Sequence, residues 1–323
     1  LPQINMGMYY GEESGLPLYY RIYPGSISDK THLKYMVADN AFINGKRTRF
    51  VMDRGFYSRE NLQYLTESGY RFVIALPDSL KYCRELVSEH GAEIVNHSEF
   101  LLGPGLPYGK SYESMALGFR MKIHLYYDPE KALRETSALY ALLNAQENDL
   151  KSMEEPPDKS LHYDKYFYIN RSKDGKLGYI RNFKAIDEAL KYGGFFLIAE
   201  TDFKKTTAEI LDIYRCRDTI EKSFDDLKNG LDMKRLHIHT SETAQGKVFV
   251  SFLSLIVRAY LLRQLKDYMQ QNGLTLKKIL LELDKIKTIQ YPGSDEERLL
   301  NPLTKRQREI YELLEIPVPG CIG

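Results

Sequence analysis

The chain has 323 residues, 45 Lys and Arg against 44 Asp and Glu, and a formal net charge of +1. At roughly 100–200 residues per domain that length suggests about two domains, or one large domain with an insertion, and a hydrophobic fraction of 43% excludes a mostly disordered chain. Three widely spaced cysteines, Cys83, Cys216 and Cys321, exclude a disulfide framework and a cysteine-rich zinc site. No apolar run reaches the ~18–20 residues that a membrane helix needs, and no charged-then-apolar leader opens the chain, so no membrane partner and a cytoplasmic setting are expected. The sequence begins at Leu1, its first methionine is Met6, and Leu1–Asn5 leads straight into a strand. The start therefore reads either as trimmed or as the edge of a fragment whose upstream part is missing.

Residues 3–11 and 16–23 are rich in β-formers around a Gly-containing loop, the pattern of a β-hairpin. Pro24–Gly25 closes it, and a helix is predicted from Ser28 to about Ala41. Residues 47–53 (RTRFVMD) predict a strand whose exit turn is eased by Gly55. A helix opening at Ser58 and Glu60 and a doubly buried strand at 70–76 (YRFVIAL) follow. The order β-β-α-β-α-β reads as a layered mixed sheet with helices. Further on, strands are predicted at 122–128, 165–170 and 177–183, with Asp174–Gly175 as a turn between the last two. A helix is expected over 130–151. Gly193–Gly194 precedes another buried strand, FFLIAE. The remainder reads as helices over 206–229, 242–271, 275–287 and about 304–315.

The segment YRCRDTIEKSFDDLK, residues 214–228, carries the most chemistry. At ~100° per residue, Tyr214, Arg217, Glu221 and Lys228 share one narrow face of a continuous helix. Ile213, Ile220, Phe224 and Leu227 form an apolar stripe beside it. A carboxylate, two cations and a phenol at the rim of a core suit a ligand site. The plainer reading is an amphipathic helix with an ordinary Arg217–Glu221 pair. A second candidate is Asp53, at the C-terminal end of a buried strand, where open α/β sheets bind ligands. Its plainer reading is a turn cap before Gly. His237 and His239, after Lys234–Arg235, read as a basic strand or loop before they read as a zinc site.

Together these blocks resemble the ribonuclease H-like DDE transposases of bacterial insertion sequences, in the group with a strand-rich insertion before the catalytic Glu. The helix matches that group's Y-x2-R-x3-E-x6-K signature at every fixed position. VMDRGFYSRENLQYL resembles the block around its second catalytic Asp. LPLYYRIYPGSISDKTHL resembles its Pro-Gly-Asn stretch, with Ser26 in place of Asn, and KIHLYYDPEKA resembles the insertion. His237 to Leu262 resembles the closing helix.

The resemblance implies an α/β fold: a ribonuclease H-like mixed sheet flanked by helices, interrupted by a strand-containing insertion, with C-terminal helices and the first strand missing. The parts would be 1–79 and 193–270 for the catalytic core, 80–192 for the insertion and 271–323 for a helical tail. It implies metal-dependent DNA strand cleavage and transfer in cut-and-paste transposition, usually through a hairpin intermediate. Asp53 and Glu221 would be two of three carboxylates holding Mg²⁺ or Mn²⁺, with two ions roughly 3.5–4 Å apart. Tyr214, Arg217 and Lys228 would serve the DNA phosphates. The family's first Asp has no counterpart here, so the fragment is expected to be inactive in cleavage. A catalytically dead DNA-binding remnant and a host ribonuclease H-like nuclease are the alternative readings. The partners implied are double-stranded DNA at terminal inverted repeats and a second copy of the chain, at the nucleoid.

The net charge of +1 also hides a contrast. Asp128–Asp158 holds eight acidic residues against three basic, whereas Lys228–Lys266 holds seven basic against two acidic. The basic stretch, Lys234 and Arg235 included, is where a phosphate backbone could lie.

Overall fold

A computed structural model describes residues 4–11, 13–39, 48–155, 157–158, 162–171, 177–225, 228–229, 240–290 and 298–318. The chain divides into two units, one formed by Ile27–Arg217 and the other by Leu1–Ser26 with Asp218–Gly323. The predicted hairpin is present as β1 (Ile4–Tyr10) and β2 (Pro17–Pro24), antiparallel, with Ile4 opposite Pro24 and a register shift between Tyr9 and Tyr10. It forms a two-stranded sheet of its own.

The Ile27–Arg217 unit begins with α1 (Asp29–Asp39), β3 (Arg49–Met52), α2 (Arg59–Glu67) and β4 (Arg71–Ala75). Ser58 caps α2 by accepting the Asn61 amide at 3.1 Å. Next come α3 (Lys81–Asn96), β5 (Tyr108–Ser114), β6 (Met121–Tyr127) and α4 (Pro129–Ser152). The unit ends with β7 (Phe167–Arg171), β8 (Leu177–Arg181), α5 (Phe183–Lys191), β9 (Phe195–Glu200) and α6 (Thr207–Arg215). Its main sheet has the order β3-β4-β9-β6-β5. Strands β3 and β4 are parallel, and every other pairing is antiparallel. This is the mixed sheet flanked by helices that the sequence predicts.

Strand periodicity sorts the two faces. Val51, Val73, Tyr126 and Ile198 face α6 and pack with its Ile210, Leu211 and Ile213. Helix α3 touches β5, β6 and β9. It does so from the other face, where a Cβ on its Gly91 would meet the Phe195 ring. Helix α6 starts close to β5: a Cβ on Gly109 would lie 2.9 Å from Thr207 Cγ2 and 3.0 Å from Tyr126 Cδ1. Only a residue without a side chain allows that approach.

The segment expected to be an insertion serves two structures. Strands β5 and β6 extend the main sheet, whereas α4, β7, β8 and α5 surround a separate core of Leu143, Leu150, Tyr163, Tyr166, Phe167 and Ile186. Asp128 caps α4 by accepting the amides of Glu130 and Lys131, and Pro129 occupies the first helical position. The predicted Asp174–Gly175 turn lies outside the described residues. The reading by sequence missed α3, β5 and α5. In α3 the signal exists, since buried Cys83, Val87, Gly91 and Ile94 follow a helical period, but polar residues and a central Gly dilute it.

The other unit adds α7 (Arg217–Asp225), α8 (Ser241–Gln264), α9 (Lys266–Asn272) and α10 (Leu276–Leu283). A short β10 (Thr288–Gln290) pairs with β11 (Arg298–Leu300), and α11 (Lys305–Leu313) follows. The single helix expected over 242–271 is interrupted at Leu265, a buried residue that packs with Leu276, Ile279, Ile310 and Leu314. Helix α8 packs on the hairpin, with the Phe252 ring 4.7 Å from that of Tyr20. Its residues Glu242–Gln264 are long and apolar enough to cross a membrane by length and composition, which corrects the expectation that no segment is. Lys247, Ser251, Ser254 and Arg258 hide this from a search for unbroken apolar runs.

Candidate active site

Asp53 directly follows β3, two residues beyond Val51, so its side chain leaves the strand on the face that α6 covers. The next residues, Arg54–Phe56, make one 3₁₀ turn capped by Asp53 itself, whose Oδ1 accepts the Arg54 amide at 2.7 Å. The turn is held from behind by Asn61. This buried side chain donates from Nδ2 to the carbonyls of Phe56 at 3.1 Å and Lys30 at 2.8 Å. Asn61 escaped the reading by sequence because an Asn on an amphipathic helix looks like surface. Its position three residues after a capping Ser, on the buried face, is the signal. Gly55 is not needed for the turn. Its φ lies outside the left-handed region and a Cβ there would meet nothing within 4 Å, which corrects the role expected for it.

Two further side chains reach Asp53, Tyr214 from the end of α6 and Arg217 from two residues beyond it. The Tyr214 hydroxyl donates to Asp53 Oδ1 at 3.4 Å, and Arg217 Nη1 lies 3.0 Å from the same oxygen. The Arg217 guanidinium also sits 5.0 Å from the centroid of the Tyr214 ring, within cation–π range. Asp53 keeps 47% of its side-chain surface exposed and Arg217 20%. At that exposure an ion pair contributes about 1 kcal/mol or less. The arrangement holds the carboxylate in place without burying it.

The helix expected over 206–229 is divided at Cys216, whose own φ of −56° and ψ of −21° stay in the right-handed helical region. Helix α6 stops at Arg215, Cys216 caps it, and α7 starts at Arg217. Tyr214 and Arg217 meet at Asp53 across this break. Glu221 lies on α7 and is exposed, as is Lys228. Lys234, Arg235, His237 and His239 lie outside the described residues. Among the described residues, no three or more His, Cys, Asp or Glu gather as a metal-binding group. The donors that Asp53 and Glu221 offer are hard carboxylate oxygens. They fit in kind a hard divalent cation such as Mg²⁺ or Mn²⁺, and not an ion that prefers thiolate or imidazole.

The mixed sheet, the carboxylate of Asp53 just beyond β3 and the Tyr214–Arg217 pair on it stand together in the Ile27–Arg217 unit. Residues 2–257 match the family described as the transposase DDE domain, and the chain belongs to that family. No curated protein matches it. The family match gives the chain a transposase function, a DNA substrate and, in general terms, a requirement for divalent metal ions.

Proposed function

We propose that this chain carries the catalytic machinery for cutting and joining the ends of an insertion sequence. Asp53 and Glu221 are two of the three carboxylates that hold Mg²⁺ or Mn²⁺. Metal ions held there supply Lewis-acid stabilisation and an activated oxygen nucleophile for in-line displacement at phosphorus. The chain's own residues orient the DNA. Arg217 offers a planar fork to a phosphate and Lys228 a point charge. Tyr214 packs under Arg217 and steers the Asp53 carboxylate. Lys234 and Arg235 extend the basic track along the backbone, whose binding weakens as salt rises. The DNA is the terminal inverted repeat, and two copies of the chain act on paired ends.

The observation that carries this reading is the convergence of Tyr214 and Arg217, the first two members of the signature, on the carboxylate of Asp53. The test is cleavage of a labelled duplex ending in the element's terminal repeat, with Mg²⁺, by the full-length protein. Asp53→Asn and Glu221→Gln are each expected to abolish cleavage and to leave duplex binding intact. Wild-type turnover in either variant would remove that residue from the site. A duplex cut with no preference for the repeat would favour the host nuclease.

A further inference from the structure

We infer that Arg217 is a latch on Asp53 that metal and DNA must release together. This rests on the reading of Asp53 as a metal-holding carboxylate. Arg217 Nη1 stands 3.0 Å from Asp53 Oδ1 and the Tyr214 hydroxyl 3.4 Å from the same atom, while the Arg54 amide donates to it at 2.7 Å. That oxygen thus faces three donors, one of them a full positive charge. A cation approaching it must displace the guanidinium or share the carboxylate with it, and like charges around one oxygen repel.

Arg217 has somewhere else to go. A guanidinium binds a phosphate with the same bidentate geometry that it offers a carboxylate. When a DNA phosphate takes Arg217, the Asp53 oxygen is left for the metal. When the metal takes Asp53, Arg217 is left for the phosphate. Each ligand therefore raises the affinity for the other by the same factor, as linkage requires. The modest strength of a pair whose carboxylate is about half exposed suits this exchange, because a deeply buried pair could not open so readily. In the absence of DNA the latch keeps the carboxylate neutralised and the site poorly loaded. Metal loading is thereby confined to the DNA complex.

The experiment measures Mn²⁺ binding to the whole chain by electron paramagnetic resonance, with and without a short duplex. Without DNA, Arg217→Gln is expected to bind Mn²⁺ roughly three- to tenfold more tightly than wild type, the gain from removing a competitor worth about 1 kcal/mol. The duplex is expected to tighten Mn²⁺ binding more in wild type than in the variant, so that the gap closes. A variant no tighter than wild type without DNA would overturn the latch. So would a gap that persists in the DNA complex, which would make Arg217 a fixed repulsive charge. Arg217→Lys keeps the charge but loses the fork, and it covers the case in which Arg217→Gln fails to fold. Its affinity should fall between wild type and the gain predicted for Arg217→Gln, and an affinity equal to that of wild type would count against the latch. Asp53→Asn separates the two readings. If it binds Mn²⁺ like wild type, Asp53 is not a metal carboxylate. If it loses Mn²⁺ while the Arg217 variants gain nothing, the metal reading stands and the latch fails.

Discussion

Strands β3 and β4 have an aspartate paired with arginine at each end, and the two pairings are built for different ends. Where the strands finish, Asp53 is about half exposed and meets Arg217 and Tyr214. Where they start, Asp202 keeps only 4% of its side-chain surface and accepts from both Arg49 at 3.0 Å and Arg71 at 2.7 Å. Beside it lies Glu200, also buried, whose carboxylate accepts the amides of Asp202 and Phe203 and lies 3.7 Å from His124 Nε2. Burial alone would push the Glu200 carboxyl up, but His124 and those amides outweigh it and hold its pKa below the ordinary value. A buried carboxylate so fully partnered is a structural brace. A half-exposed one with a single displaceable arginine is placed to exchange partners.

The largest expected effect tests that difference directly. Asp202→Ala removes the buried carboxylate that Arg49 and Arg71 share. It should cost about 2–3 kcal/mol, below the range for fully buried pairs because Arg71 reaches solvent. Asp53→Ala should cost within about 1 kcal/mol. Urea unfolding midpoints measure both. Equal losses at the two ends would mean that Asp53 also braces the fold, and the contrast would collapse.

Helix α6 joins the two ends, and a smaller effect sharpens how. At its start the Tyr126 hydroxyl donates to the Thr207 carbonyl at 2.8 Å and His124 Nδ1 lies 3.2 Å from Thr207 Oγ1. At its finish it delivers Tyr214. Tyr126→Phe removes one buried hydrogen bond and should cost roughly 1 kcal/mol. If α6 is also anchored by its apolar face of Ile210, Leu211 and Ile213, Mn²⁺ binding at Asp53 should stay within about twofold of wild type, a change of about 0.4 kcal/mol. A larger loss would show that the brace at one end sets the geometry at the other.

The exposed end of this comparison was the legible one. Asp53 stands out because a charged residue follows an apolar strand before Arg-Gly, and Tyr214 and Arg217 stand out by their spacing. The break at Cys216 was not legible, since YRCRDTIEKSF has no Gly or Pro and reads as unbroken helix. The buried end was not legible either. Arg49, Arg71, His124, Glu200 and Asp202 come from four separate stretches of chain, and only the sheet order β3-β4-β9-β6 gathers them. Local pattern reports a residue's neighbours along its own element, whereas a buried network depends on the crossovers between elements.

The smallest effect concerns the cap that starts α6, and it has a definite sign. Thr206 and Glu209 form a capping box, with the Glu209 carboxylate accepting the Thr206 amide at 2.8 Å and the Lys205 ammonium 2.9 Å away. The Thr206 amide, Lys205 and the Thr206 hydroxyl together bring the Glu209 pKa from 4.5 down to about 2. A carboxyl whose pKa is depressed in the folded state stabilises that state above its unfolded value, and the contribution fades as pH falls through the folded value. Wild type should therefore have a higher thermal midpoint than Glu209→Gln at neutral pH. The difference should shrink as pH drops from 4.5 towards about 2, where Glu209 becomes neutral like the glutamine. A difference that stayed constant across that window would mean that the box acts through shape and packing alone. The anchoring of α6 would then owe nothing to charge at this cap, and the charged pairs that matter would be confined to the two ends of the sheet.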